Sequence, residues 1–247
     1  MWTGRERSPT PESERAYDFV VDIERMDLGS SLVDYHHAWE HQRAVHADVV
    51  AGRRDSTLLM LEHESVYTAG KRTSQAERPS GDLGAAVVDV DRGGRITWHG
   101  PGQLVVYPII TLRAPIDVVA YVRSLEEAVI AVAARFGVGA GRVTGRSGVW
   151  VHADPEAGID RDRKLCAIGV RVAKGVTMHG IALNCDADLG AFTTIIPCGI
   201  EDADVTSLSV ESGRNLGVLD VAGVVEEELV KALTPLIREP ARQPAGA

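Results

Sequence analysis

Lys164-Leu165-Cys166-Ala167-Ile168-Gly169-Val170-Arg171-Val172-Ala173-Lys174-Gly175-Val176-Thr177-Met178-His179-Gly180-Ile181-Ala182-Leu183 is the stretch on which the fold turns. Lys164 to Val172 and Val176 to Leu183 each read as a strand, rich in aliphatic and β-branched residues. Only Ala173-Lys174-Gly175 separates them. Tight glycine turns such as this one separate many neighbouring strands of the chain. Working outward, Phe19–Ile23, Leu58–Leu61, Ala86–Val90, Leu104–Ile109 and Gly148–Val151 also read as strands. Ser30 or Ser31 is placed to cap a helix running through Trp39 to about Val50. Asp117 is placed to cap another, with Val118, Val122, Leu125, Val129 and Val132 on one face and Gly137 at its end. A third follows Asp220, with Val221, Val225, Leu229 and Leu233 in register and Pro235 near its end. Strands cluster between two helical ends, and no internal repeat is present. The pattern predicts an α+β fold: a single domain with a mixed central β-sheet flanked by helices, not a regular βαβ alternation.

Length and composition bound the rest. The 247 residues are 45 % hydrophobic, enough for one large core. The net charge of −9 argues against nonspecific nucleic-acid binding and leaves room only for local basic patches. Three cysteines without a C-x-x-C pair fit neither a disulfide framework nor a zinc ribbon. No apolar run reaches membrane-spanning length, and the N-terminus lacks a signal-peptide core. The expectation is a reduced cytoplasmic protein with no membrane and no nucleic-acid partner. Residues 1–17 and 239–247 read as disordered tails around a domain spanning 18–238.

Cys166 sits in an apolar run and Cys185 beside another, so both read as small buried hydrophobes. Cys198 differs. In Ile196-Pro197-Cys198-Gly199-Ile200 it stands between a residue that fixes φ and one that frees it, on a turn able to present a thiol. A thiol needs a nearby cation or base to act as thiolate near neutral pH, and Lys164 is the sole lysine of an Arg-rich stretch. The second dense feature is Arg92-Gly93-Gly94-Arg95-Ile96-Thr97-Trp98-His99-Gly100-Pro101-Gly102-Gln103, where glycines bracket an alternating segment. It reads either as a plain hairpin loop or as a site whose Gly93 and Gly94 N–H groups hold a carbonyl or carboxylate oxygen. Gly70-Lys71 misses the phosphate-loop pattern at Ser65 and Arg72, and Gly145-Arg146-Ser147-Gly148 misses the nucleophile elbow at Val149. His37-Ala38-Trp39-Glu40-His41 fits an inverted zinc-protease signature, but an amphipathic helix with histidines on its wet side explains it as well, and no metal is expected.

Taken together, these segments resemble the octanoyltransferases of lipoate biosynthesis, within the biotin/lipoate protein ligase superfamily. Arg92 to Gln103, Gly148-Val149-Trp150, Lys164 to Gly169, His179 to Asn184, Ile196 to Ile200 and Thr206-Ser207-Leu208 look like that family's blocks in order and spacing. The likeness covers roughly residues 18–238. It implies the superfamily's catalytic-domain fold and transfer of an octanoyl group from octanoyl-acyl carrier protein to a lysine of lipoyl domains. Those acceptors are the 2-oxoacid dehydrogenase complexes and the glycine cleavage H protein. It implies Cys198 as nucleophile and Lys164 as its partner. It further implies an acyl site lined by Arg92, Gly93, Gly94, Arg95, Ile96, Thr97, Trp98 and His99, by Ala167, Ile168 and Gly169, and by Gly180, Ile181 and Ala182. Tyr107 is added as a candidate lining residue, and His99 and His179 read equally as pocket groups or satisfied core histidines. No cofactor is implied, since phosphopantetheine arrives as part of the carrier protein. The rival is a ligase of the same fold that activates free acid with ATP; Cys198 on its turn favours the transferase. A carrier-binding module without turnover is the non-enzymatic alternative. Docking of an acidic carrier would use Lys71 and Arg72, Arg142 and Arg146, or Arg161 and Arg163.

Overall fold

A computed structural model describes residues 21–79, 84–195 and 203–238. Cys198 and both proposed tails therefore lie outside the described residues. The strands are β1 (Asp22–Arg25), β2 (Thr57–Leu61), β3 (Val66–Ala69), β4 (Ala86–Asp89), β5 (Thr97–His99), β6 (Gln103–Ile109), β7 (Val149–Val151), β8 (Arg163–Ala173), β9 (Val176–Asn184) and β10 (Asp204–Val205). The helices are α1 (Tyr35–Val50), α2 (Val118–Arg135), α3 (Leu208–Ser212) and α4 (Val218–Leu233).

The two strands of the opening stretch are present and form a hairpin. β8 and β9 pair antiparallel from Cys166↔Leu183 to Ala173↔Val176. Lys174 and Gly175 both take positive φ, +53° and +79°, the conformation that turns a chain back within two residues. Around the hairpin a seven-stranded sheet runs β1-β2-β6-β9-β8-β10, with β7 also on β8. β1 with β2 and β10 with β8 are parallel, and the other pairs are antiparallel, so the sheet is mixed as the sequence predicts. Near its start β8 is flanked twice: Lys164 pairs with Trp150 on one edge and Val205 on the other. β10 thus takes over the edge that β9 leaves.

Both faces of the sheet are covered, which is why β2 and β6 are buried along their whole length. α2 and α4 pack on one face over Leu58, Met60, Leu104, Val106, Leu165 and Leu183. α1 packs on the other over Leu59, Leu61, Val105 and Ile109. A separate three-stranded sheet, β4-β3-β5, stands beside this block.

Several boundaries differ from expectation. α1 is capped by Asp34, whose carboxylate accepts the His37 N–H at 2.9 Å; Ser30 instead donates its hydroxyl to the Asp27 carbonyl. Asp117 does cap α2, accepting the Ala120 N–H at 2.9 Å, but Val118 at its first turn remains exposed. α4 begins before Asp220, which takes the Gly217 N–H from inside the first turn. β3 and β5 are too short to carry a period-two signal, and their pairing with each other defines them.

Candidate active site

The hairpin floor and the small sheet enclose a cleft of about 300 Å³, within the range of small-molecule sites. Ala167, Ile168 and Gly169 of β8 and His179, Gly180, Ile181 and Ala182 of β9 form its floor; Arg92, Gly94, Arg95, Thr97 and His99 form a wall. Lys164 and Tyr107 line it as well. The structure therefore gathers most of the residues singled out from sequence around one space.

Three of them are turned elsewhere. In β5 side chains alternate, so Thr97 and His99 face the cleft while Trp98 packs edge-on against Phe192 at 5.4 Å in a core that also takes Ile96. Gly93 is not in the cleft, and its N–H is spent on the Val170 carbonyl at 3.0 Å. The expectation that Gly93 holds a substrate oxygen is corrected accordingly: its N–H docks the loop onto β8. Gly169 permits that docking, since a Cβ there would stand 2.9 Å from Arg92 Cδ and 3.2 Å from the Gly93 carbonyl.

The wall is locked by its own hydrogen bonds. Buried Arg92 donates to the carbonyls of Gly93 and Arg95 at 3.0 and 2.9 Å, and to the Thr68 carbonyl and hydroxyl at 2.8 Å each. Thr68 Oγ1 lies 3.2 Å from His99 Nε2, and His99 Nδ1 lies 2.7 Å from Gln103 Oε1. Gln103 donates to Asn184 Oδ1 at 2.9 Å, Asn184 donates to the Thr206 carbonyl at 2.9 Å, and the Thr206 N–H donates to the Lys164 carbonyl at 3.0 Å. A continuous chain of polar groups thus joins Arg92 to the strand bearing Lys164.

Burial sets the charge state of this region. His99 is held well below the usual imidazole range, first by desolvation and then by the charge of its neighbours. His63 behind it is pushed down to about 4 by burial. Its Nδ1 lies 3.0 Å from the Val33 carbonyl, so its Nε2 accepts from the Tyr107 hydroxyl at 2.7 Å. Tyr107 in turn is raised well above a normal phenol by desolvation. Asp91 is held low by the hydrogen bond from His179 Nε2 at 2.6 Å, and it also meets Arg171. Burial outweighs Asp91 at His179, whose imidazole stays below its ordinary range. His179 has φ +56°, rare outside glycine, and its N–H is taken by Gln42 of α1 at 2.8 Å. Its Nδ1 is buried without a partner among the described residues.

Lys164 occupies the other end. Its side chain is buried, and Nζ lies 4.9 Å from the centroid of the Trp150 ring. A Cβ on Gly148, which has φ +113°, would stand 2.9 Å from Lys164 Cε, so the lysine arm lies along a bare Cα. Cys166 is fully buried in the helix-covered core and its thiol is pushed up to about 12, while Cys185 is raised by burial in that core too. Both are inert thiols, as their sequence context indicates.

Sequence reasoning missed Tyr35, Gly145 and Ser147 as lining residues. Tyr35 stacks parallel on His99 at 6.3 Å, a contact made by tertiary packing that leaves no local signature. Gly145 and Ser147 sit in the Gly-Arg-Ser-Gly segment, whose local pattern is an imperfect nucleophile elbow that does not point to a cleft wall. Arg72 and Arg146 also line the cleft, though they entered the sequence reading in two separate docking pairs. Of the remaining docking residues, Arg142 is engaged by Glu126, Glu127 and the Arg123 carbonyl, and Arg163 by Glu211. His41 donates its ring to Glu24 at 2.6 Å, and among the described residues no three potential ligands gather as a metal would require. No described helix is long and apolar enough to cross a membrane.

Residues 34–230 match the family model described as the lipoyl protein ligase A/B catalytic domain. An octanoyltransferase of Thermobifida fusca is 57 % identical over 206 residues, covering 83 % of this chain and 87 % of the relative. One of Mycobacterium marinum is 54 % identical over 236 residues, covering 92 % and 94 %. Among solved structures, a bipartite lipoate protein ligase of Thermoplasma acidophilum superposes with TM-score 0.61 at 15 % identity, covering 91 % of this chain and 88 % of its own. A lipoate-protein ligase A bound with ATP gives 0.59 at 15 %, covering 90 % and 89 %. At that identity these structures speak for the fold alone.

Proposed function

The chain belongs to the lipoyl protein ligase A/B catalytic domain family and is an octanoyltransferase within it, and from that premise we propose a route through a cysteine thioester. The donor is octanoyl-acyl carrier protein, whose phosphopantetheine arm carries the acyl thioester into the cleft. The Cys198 thiolate attacks the thioester carbonyl; a new carbon–sulfur bond forms to Cys198, and the bond to the carrier sulfur breaks. Lys164 gives a proton to the departing carrier thiolate. A lysine amine of the acceptor then attacks the acyl-enzyme, an amide forms, Cys198 leaves as thiolate, and Lys164 takes the amine's proton. Thioester to amide runs downhill, so neither ATP nor a resident cofactor is needed. The acceptors are lipoyl domains, those of 2-oxoacid dehydrogenase complexes and the glycine cleavage H protein. Such chemistry needs a reduced thiol, in keeping with a cytoplasmic protein.

The observation that carries this reading is the setting of Lys164: a buried lysine on the cleft wall, on a strand whose β10 neighbour begins six residues after Cys198. The apolar floor of Ala167, Ile168, Ile181 and Ala182 suits an alkyl chain. The test is intact mass after exposure to octanoyl-acyl carrier protein without ATP. A single octanoyl adduct is expected, absent in Cys198→Ala. Transfer that persists in Cys198→Ala, or that depends on ATP, sinks the thioester route; the second outcome would favour the ligase alternative.

A further inference from the structure

We infer that Glu126 is a positioning residue of the acyl-transfer centre, acting on Lys164 through the backbone of Gly148; the inference rests on the reading that Lys164 handles the protons. Glu126 lies on α2 and is completely buried, facing the β7 and β8 side of the core. A buried carboxylate is tolerated only when its oxygens are satisfied. Here Oε2 accepts from Arg123 Nη1 at 2.6 Å and from Arg142 Nε at 3.0 Å. Oε1 accepts the N–H of Gly148 at 3.1 Å.

That third bond has a consequence the ion pairs lack. Gly148 is held at φ +113°, where it presents no side chain to its neighbours. A Cβ there would stand 2.6 Å from the Cys166 carbonyl, 2.9 Å from Lys164 Cε and 3.5 Å from Nζ. The lysine arm is therefore bounded by a peptide that Glu126 pins in place. The three residues before Gly148, Gly145 to Ser147, border the cleft. One buried carboxylate thus fixes both the resting place of Lys164 and the adjoining lip of the site. In the sequence it is a charge four residues after Val122 on the apolar side of α2.

The test compares Glu126→Ala, Glu126→Gln and Arg123→Ala in steady-state octanoyl transfer by the full chain. Glu126→Ala removes the acceptor for Gly148. Its kcat is expected to fall by roughly ten- to a hundredfold, the scale of a misplaced reacting group, with donor KM little changed and the pH profile of kcat displaced. Glu126→Gln keeps an acceptor oxygen and is expected to restore most of kcat. Arg123→Ala loosens an ion pair without touching Gly148 and is expected to lower Tm while leaving kcat alone. Wild-type kcat and pH profile in a folded Glu126→Ala overturn the inference, and so does a Glu126→Gln as slow as Glu126→Ala. Should Glu126→Ala not fold, Gly148→Ala probes the same contact from the loop side, with unchanged kcat overturning the inference. Full activity in Lys164→Ala would instead defeat the underlying reading, whereas an inactive Lys164→Ala beside a fully active Glu126→Ala defeats the positioning role alone.

Discussion

The two ends of the cleft are built on opposite principles. At the end formed by Arg92, His99, Tyr107 and His179, nearly every polar atom is bonded to another protein atom, and burial keeps the imidazoles neutral. At the other end stand Lys164 and the Gly145–Ser147 lip, with an ammonium held beside an aromatic ring and a bare glycine. Gly169, at the far end of the floor, is five residues along β8 from Lys164, roughly 16 Å at the usual strand rise. A densely hydrogen-bonded network of this kind, in which Arg92 and Asp91 spend their charge on protein partners, is rigid and shapes a pocket. On the proposed route the proton transfers fall to Lys164 at the other end. In the proposed thioester route the histidines, conspicuous in sequence, belong to the template, and Lys164 carries the proton transfers.

The largest expected effect breaks that division if it is wrong. Lys164→Ala should lower kcat on the order of a thousandfold, within the range of general acid–base catalysis, with donor KM and Tm nearly unchanged. Lys164→Arg should not rescue it, because guanidinium does not give up its proton. A histidine variant that matched this loss without loss of stability would reverse the assignment of the two ends. At the template end, Arg92→Ala should act mainly on stability. It strips donors from three carbonyls and the Thr68 hydroxyl, and a loss of about 3 kcal/mol is expected by denaturant titration. Its kcat should survive better than that of Lys164→Ala.

The pH dependence sharpens the contrast next. His63 is pushed to about 4 in the folded state, against about 6.5 for a free imidazole. Protons therefore bind the unfolded chain first as pH falls. The stability contributed by neutral His63 is complete above about 6.5 and is lost progressively down to about 4. At pH 5 the loss from this residue alone is about 2 kcal/mol. His63→Gln should flatten the fall in Tm between pH 6.5 and 5 relative to the parent chain. An identical slope in both proteins would mean that the imidazole is not shielded as the geometry indicates.

How much of this was legible depends on the range of the interactions. The strands β8 and β9 and the α2 and α4 faces are readable because their signals are local: aliphatic and β-branched runs around a glycine turn, apolar periodicity, a capping aspartate. The cap of α1 was misread because Ser30, Ser31 and Asp34 are all good caps, and only the bridge between Val33 and His63 fixes where the helix starts. In the Arg92–His99 block the members were legible but their directions were not. Trp98 and Ile96 point away from the cleft, and Gly93 spends its N–H on β8, because β5 pairs with β3 in a register no local pattern records. Tyr35 and Glu126 were invisible for the same reason: each acts across elements distant in sequence.

The smallest expected effect tests the rim between the two ends. Lys71 and Arg72 follow β3, both are exposed, and Arg72 lines the cleft, as Arg146 does. Arg142 and Arg163 are already paired with Glu126, Glu127 and Glu211, which leaves the Lys71–Arg72 side as the better candidate to meet an acidic carrier. Exposed charge pairs are individually worth about 0.2–1 kcal/mol. Lys71→Glu/Arg72→Glu should therefore raise donor KM by several-fold to about tenfold at low salt, and the difference should shrink as salt screens it. kcat at saturating donor should stay near the parent value if the rim serves docking alone. A KM unchanged at low salt would remove this rim from the docking surface. A fall in kcat instead would mean that the rim and the lysine end are one unit, and that the division between them is drawn in the wrong place.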